Sequence, residues 1–319
     1  MSEEEKTTQL ELPSDDITER LRPEMLQIGE SREVIVDPRV FICSFPKSGT
    51  HFVEQIVQTI CQPMPTERPW AGTFQGHSWT TEWIHIRKTL RRIGFIRDGT
   101  YAKGHVGYQK ETANFLWGNG AAVLFVYRDP RDVAVSQTHH ILNGKTHGHN
   151  EIYQDIGFDA ALLAVIKGLD VYAGVMERWE HYAGWLEEDW VLSVKYEDLL
   201  NNKREVLSDI VRYIVGHSAN VRGYQATIEE DILESVIDAM DRNSSRTDLS
   251  PTYREGKSGG WKTAFKKAHS LAFKQSDVND WLIKLGYETD KDWKSDTEAA
   301  RELEVAELKE KERVEAIEA

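Results

Sequence analysis

Ser44-Phe45-Pro46-Lys47-Ser48-Gly49-Thr50 gathers a cation, three hydroxyls and a glycine in one short stretch. An apolar run of β type, Arg39-Val40-Phe41-Ile42-Cys43, leads into it. Behind it, Val53, Ile56, Val57, Ile60 and Cys61 recur at helical spacing and mark one face of a helix. A strand, a short turn and a helix in that order aim backbone N–H groups, hydroxyls and the positive end of a helix at one point. Such a point suits an anionic group, above all a phosphate, so a nucleotide or similar polyanion is the expected ligand. The order is not that of a Walker A loop, G-x-x-x-x-G-K-S/T, in which Lys follows the last Gly. Here Lys47 precedes Ser48-Gly49-Thr50 and the upstream Gly is missing.

Three further segments carry candidate chemistry. In Val126-Tyr127-Arg128-Asp129-Pro130-Arg131-Asp132-Val133-Ala134-Val135-Ser136, an apolar strand ends at Arg128 and Pro130 signals a helix start. An Arg fork at a strand end and a Ser hydroxyl two turns into the next helix make a competent phosphate clamp. On its own Arg128 serves equally as a capping or surface charge. Tyr253-Arg254-Glu255-Gly256-Lys257-Ser258-Gly259-Gly260-Trp261 is a glycine-rich cationic loop, a composition also common on ordinary surfaces. Tyr101-Ala102-Lys103-Gly104-His105 places an imidazole just after a short strand, level with the phosphate loop. An unperturbed imidazole titrates near neutral pH and suits a general base.

The elements that must position these residues alternate. Strands are expected at 39–45, 100–103, 121–127 and 190–195. Ala121-Ala122-Val123-Leu124-Phe125-Val126-Tyr127 is apolar throughout, as in a parallel strand covered on both faces. Helical spacing runs over 159–187 (Leu162, Ile166, Leu169, Tyr172, Met176, Trp179) and over 203–215. Thr227-Ile228-Glu229-Glu230 reads as a capping box opening a helix through Met240. Strands separated by helices imply an α/β fold, a parallel β-sheet flanked by helices, with ligands at the carboxyl ends of its strands.

The chain has 319 residues, enough for one large α/β domain, and a net charge of −14, which argues against nucleic acid as the main partner. An anionic ligand must then be drawn by local cations. Residues 1–30 read as a flexible acidic arm, 31–290 as the domain, and 291–319 as a charged helix or tail, solvated or partner-binding. Glu307 with Lys311, and Lys311 with Glu315, are helical pairs of opposite charge in that tail. Cys43 and Cys61 fall in a strand and a helix and read as reduced core thiols. The start is polar and acidic, without signal-peptide character, and no apolar run of about 18 residues occurs. No membrane partner and a cytoplasmic location are expected. His139, His140, His147 and His149 invite a metal reading, but no Cys partner or H-E-x-x-H helix supports it. A substrate-facing loop is the expectation there, with no metal.

Taken together and in order, these segments resemble the motifs of PAPS-dependent sulfotransferases of the cytosolic type (PAPS is 3′-phosphoadenosine 5′-phosphosulfate). The resemblance spans roughly residues 35–287. It implies a P-loop-like sulfotransferase architecture and transfer of a sulfuryl group from PAPS to a hydroxyl or amine of a small-molecule acceptor, releasing adenosine 3′,5′-bisphosphate. By resemblance, Lys47, Ser48, Gly49, Thr50 and His51 meet the 5′-phosphate, with Lys47 also catalytic. Phe52 stacks on adenine, where many members carry Trp. Arg128 and Ser136 match the 3′-phosphate motif, and Arg254, Glu255 and Gly256 match the loop that completes it. Glu255 stands where Lys is usual and is expected to turn its carboxylate away. His105 matches the family's catalytic base, and Lys103 assists. Tyr196, in Lys195-Tyr196-Glu197-Asp198-Leu199, is placed near adenine, or is simply a strand-end Tyr beside a helix.

The family's dimer motif does not follow Phe265, which leaves the oligomeric state open. Trp79, Trp83 and Trp117 read as a partly apolar acceptor pocket or as core. Two alternatives stand beside this reading. A P-loop kinase or NTPase needs Mg²⁺ and a Walker B carboxylate, for which Asp129 is the candidate. A non-catalytic nucleotide-binding protein on the same scaffold would bind without turnover.

Overall fold

The computed structural model describes residues 27–28, 32–33, 37–63, 73–75, 90–91, 93–144, 147, 150–169, 172–223, 226–245, 256–275 and 278–318. Arg254, Glu255, His149, Trp79 and Trp83 lie outside the described residues, as does most of the 1–30 arm.

The sheet is built from β1 (Arg39–Ser44), β2 (Gln62–Pro63), β3 (Thr73–Gln75), β4 (Thr100–His105), β5 (Ala121–Tyr127) and β6 (Leu192–Lys195). Their order is β6-β5-β1-β4-β2, with β3 also on β4, and every pairing is parallel. Helices α1 (Thr50–Val57), α2 (Lys110–Gly118), α3 (Pro130–Asn143), α4 (Asn150–Lys167), α5 (Val175–Ala183), α6 (Tyr196–Asn201), α7 (Lys203–Val221) and α8 (Glu230–Ser244) fill the connections.

Alternation along the central strands explains why both faces are covered. Phe41 and Cys43 of β1 and Val123 and Phe125 of β5 pack on one side of the sheet, with Trp179 and Trp185. Val40, Ile42, Leu124 and Val126 point to the other side, under α1, α7 and α8. A strand buried on both faces has no polar side to show, hence the unbroken apolar run at 121–127. Cys43 and Cys61 are buried free thiols, and burial pushes the Cys43 thiol up to about 12.

Some elements differ from expectation. The strand expected at 100–103 continues to His105, which is its last residue rather than the residue after it. The helix expected over 159–187 is broken. α4 ends at Lys167, a short antiparallel hairpin (Gly168–Leu169 with Tyr172–Ala173) intervenes, and α5 begins at Val175. Gly168 has φ 93°, and a Cβ on Gly174 would stand 2.5 Å from the Ile166 carbonyl oxygen. These two glycines permit the break that the apolar spacing conceals. The capping box at Thr227 does not form: α8 begins at Glu230 with Glu229 as N-cap, and no side chain caps it. Past residue 290, Trp293 and Ser295 are buried, and Ser295 Oγ donates to the Phe265 carbonyl at 2.9 Å. A helix of Asp296–Glu318 follows, and the side chains of Lys311 and Glu315 lie outside the described residues.

Candidate active site

Four strand ends converge, and each delivers one sequence-predicted group. β1 ends at Ser44 and opens into the loop carrying Lys47. β4 ends at His105, β5 runs out into Arg128, and β6 runs into Tyr196. In-register parallel pairing of Ser44 with Val126 and of Cys43 with Gly104 fixes their relative heights.

The loop turns sharply. Lys47 has φ 68° and Gly49 φ 96°, both left-handed. Phe45 N–H donates to the Val126 carbonyl at 3.0 Å, tying the loop to β5. α1 starts directly from Gly49, whose carbonyl accepts the N–H groups of Phe52 at 2.9 Å and Val53 at 3.2 Å, so the positive end of the helix lies at the loop. Ser48 is fully buried, and its Oγ has no hydrogen-bond partner among the described residues. Arg128 Nε is likewise buried without one. Both are donors left without an acceptor, and each suits an anionic group.

His105 is held from the β1 side. Its Nδ1 lies 3.0 Å from the Ser44 carbonyl oxygen and 3.1 Å from Ser44 Oγ, which in turn lies 2.6 Å from Thr50 Oγ1. A carbonyl only accepts, so Nδ1 carries the proton and Nε2 keeps the lone pair. Burial lowers the His105 pKa from 6.5 to about 4; the bond to Ser44 opposes this, and the charges of Lys47, His51 and Lys103 add to it. The ring is therefore a neutral base at pH 7. The turn after it is fixed by residues that no motif marks. Trp185 Nε1 donates to the Val106 carbonyl at 2.9 Å, and Tyr108 OH to Glu188 at 2.6 Å.

Lys103 and His51 share a partner that sequence reading missed. Both donate to Glu54 of α1, Lys103 Nζ at close range and His51 Nδ1 at 3.1 Å. Burial opposes the charge on Glu54, but these bonds and charges hold its carboxyl below the ordinary range.

Around Arg128, Nη2 donates to the Lys257 carbonyl at 2.6 Å and to Asp132 at 3.3 Å. Asp132 also receives Gly259 N–H at 2.7 Å and Trp261 N–H at 3.0 Å. The glycine-rich loop is thereby clamped beside Arg128, and Gly256 (φ 60°) follows its path. Ser136 sits half-buried on α3, two turns beyond Arg128. Asp129 is not a free strand-end carboxylate of Walker B type. It caps α3 through Arg131 N–H and holds the Arg131 guanidinium, which stacks on Trp261 with its centre 3.7 Å from the ring centroid.

Tyr196 is buried, packed on the backbone of Gly49, and the Arg128 guanidinium lies 4.6 Å from its ring centroid. Phe52 meets Tyr196 edge-on at 6.4 Å. His140, one turn after Ser136, has an exposed side chain; the partial cover of its ring, then the charges of Lys47 and His147, lower its pKa to about 4, and the ring meets His147 at 5.9 Å. His139 packs on Phe158 instead. Trp117 is not brought here. It ends α2 at the amino end of β5, against Trp190 and His217.

A left-handed loop closing a buried parallel strand, with cations from neighbouring strand ends around it, defines an α/β protein of the phosphate-loop class. Residues 37–278 match the family model described as the sulfotransferase domain. The chain belongs to the sulfotransferase family. Among relatives, Homo sapiens sulfotransferase 2B1 is 27% identical over 275 residues, which cover 78% of this chain and 68% of that protein. Flavonol 4′-sulfotransferase of Flaveria chlorifolia is 26% identical, over 76% of this chain and 72% of that protein. In fold, the chain is similar to the crystal structure of mouse sulfotransferase SULT7A1 complexed with PAP, at a TM-score of 0.50 and 17% identity, over 85% of this chain and 94% of the other.

Proposed function

We propose that the protein transfers the sulfuryl group of PAPS to a hydroxyl or amine of a small-molecule acceptor and releases adenosine 3′,5′-bisphosphate (PAP). The observation that carries the mechanism is the Nδ1 contact of His105 with the Ser44 carbonyl, which frees Nε2 to act as base. Nε2 takes the acceptor's proton as the acceptor heteroatom bonds to sulfur. The bond between sulfur and the bridging oxygen of the 5′-phosphate breaks, and its electron pair stays on that oxygen. Lys47 stabilises this charge, and Lys103 assists. Ser48, Gly49, Thr50 and His51 hold the 5′-phosphate by hydroxyl, backbone and ring donors, while Phe52 stacks on adenine with Tyr196 nearby. Arg128, Ser136, Arg254 and Gly256 take the 3′-phosphate and select PAPS over ATP. Catalysis rests on placement and charge, with no metal required.

The acceptor meets the exposed side of α3, where His140 stands within the field of Lys47. The acceptor is a diffusible small molecule and the setting cytoplasmic on this reading; no helix among the described residues is long and apolar enough to cross a membrane.

Calorimetry with PAP and with Mg²⁺·ATP tests the nucleotide, and labelled PAPS with pooled phenols, alcohols and amines tests the transfer. PAP binding and label in an acceptor are expected. Binding of ATP without PAP would overturn the reading.

A further inference from the structure

Glu54 is a carboxylate set inside a site built for an anion. It lies one turn into α1, on the side facing β4. Tyr101, Lys103 and His105 alternate along β4 and share that face, because successive strand residues point to opposite sides. Tyr101 OH donates to Glu54 Oε1 at 3.1 Å, and Gln58 Nε2 donates to Tyr101 OH at 2.8 Å. The other oxygen, Oε2, takes both Lys103 Nζ and His51 Nδ1. The side chains of Glu54 and Lys103 are each 14% exposed, so solvent screens this pair little.

Near a polyanionic ligand a carboxylate is a liability, since it repels the ligand and competes for its cations. It is retained for a purpose only if it also places something. Lys103 has a flexible stem and a point charge, and without Glu54 it would settle on whichever ligand oxygen came first. On the sulfotransferase reading above, we infer that Glu54 is a positioning residue: it fixes the reach of Lys103 beside His105 and tempers the pull of Lys103 and His51 on the nucleotide. Removing its charge then has opposite effects on binding and on turnover. A purely structural ion pair would move both in the same direction, or neither.

The test uses the full chain, with PAP as the binding probe. Glu54→Gln keeps the shape and removes the charge. It is expected to bind PAP about fivefold more tightly, because the competing anion is gone. It is expected to turn over roughly tenfold more slowly, because Lys103 is no longer held. In a Lys103→Met background the same substitution is expected to leave kcat unchanged. Glu54→Asp retains charge and shortens reach, so kcat is expected to fall while PAP affinity holds; it also serves if the Gln variant does not fold. Weaker PAP binding in Glu54→Gln, unchanged kcat, or an equal kcat loss with Lys103 already removed would overturn the inference alone. A wild-type chain that does not bind PAP would overturn the parent reading and this inference together.

Discussion

Gly49 lies directly beneath the ring of Tyr196. A Cβ on Gly49 would stand 2.6 Å from Cδ2 of Tyr196 and 2.8 Å from Cε2, and Gly49 itself holds φ 96°. The phosphate loop of β1 and the helix after β6 are thus in contact at a point where only a hydrogen fits. Tyr196 also lies under Arg128, so one ring touches both the loop after β1 and the Arg128 side chain at the end of β5.

Gly49→Ala is expected to destabilise the fold by about 1–3 kcal/mol, since it combines a left-handed backbone with a clash against a buried ring. Urea unfolding measures the loss, and PAP calorimetry on the same sample should show weakened binding. An unchanged unfolding midpoint would mean that the ring moves aside freely.

Arg128→Ala is expected to cost about 1.5–3 kcal/mol of PAP affinity by removing a charge-assisted donor. Adenosine 5′-monophosphate lacks the 3′-phosphate and should lose far less. Equal losses for the two nucleotides would move Arg128 away from the 3′-phosphate.

Asp132→Ala leaves the N–H groups of Gly259 and Trp261 without their acceptor. Each buried donor left unpaired costs about 1–3 kcal/mol. The glycine-rich loop should then detach locally before the sheet unfolds. Limited proteolysis read by mass spectrometry should find new cleavage near 256–260, together with a drop in PAP affinity. An intact loop under protease would show that other contacts hold it.

The pH behaviour follows from buried neutral imidazoles. As the base proposed above, His105 would act in its neutral form; its pKa is lowered to about 4 from 6.5, so the acid limb in kcat/KM for PAPS is expected near pH 4. Buried His217 is lowered to about 4 as well, by burial. Below 6.5 the unfolded chain binds these protons more readily than the native one, so stability falls as pH drops from 6.5 toward 4. Urea midpoints measured across that window check the sign; a flat profile would contradict it.

The sequence made the loop, its strand and its helix readable because they are contiguous. β5 was readable because burial on both faces leaves no polar residue in its run. What escaped reading joins distant parts of the chain. Glu54 meets Tyr101 and Lys103, and Asp132 meets Gly259 and Trp261, and no spacing rule links such positions. The break between α4 and α5 escaped for a different reason. Apolar residues kept helical spacing through Gly168 and Gly174, so tertiary contact decided where periodicity misled. Asp129 shows the limit of single-residue inference: a strand-end carboxylate in sequence is a helix cap and an Arg131 partner in space.

Lys47 is the non-glycine residue with positive φ among the described residues. Holding an L-residue there costs about 1–2 kcal/mol, a cost that glycine avoids. Lys47→Gly should accordingly raise the melting temperature and, on the mechanism proposed above, stop turnover by stripping the loop of its ammonium. Selection for heat tolerance alone would therefore be drawn to this position and would yield a sturdier, inert protein. On the mechanism proposed above, this strained position carries Lys because the transfer needs a long cationic arm on that carbon.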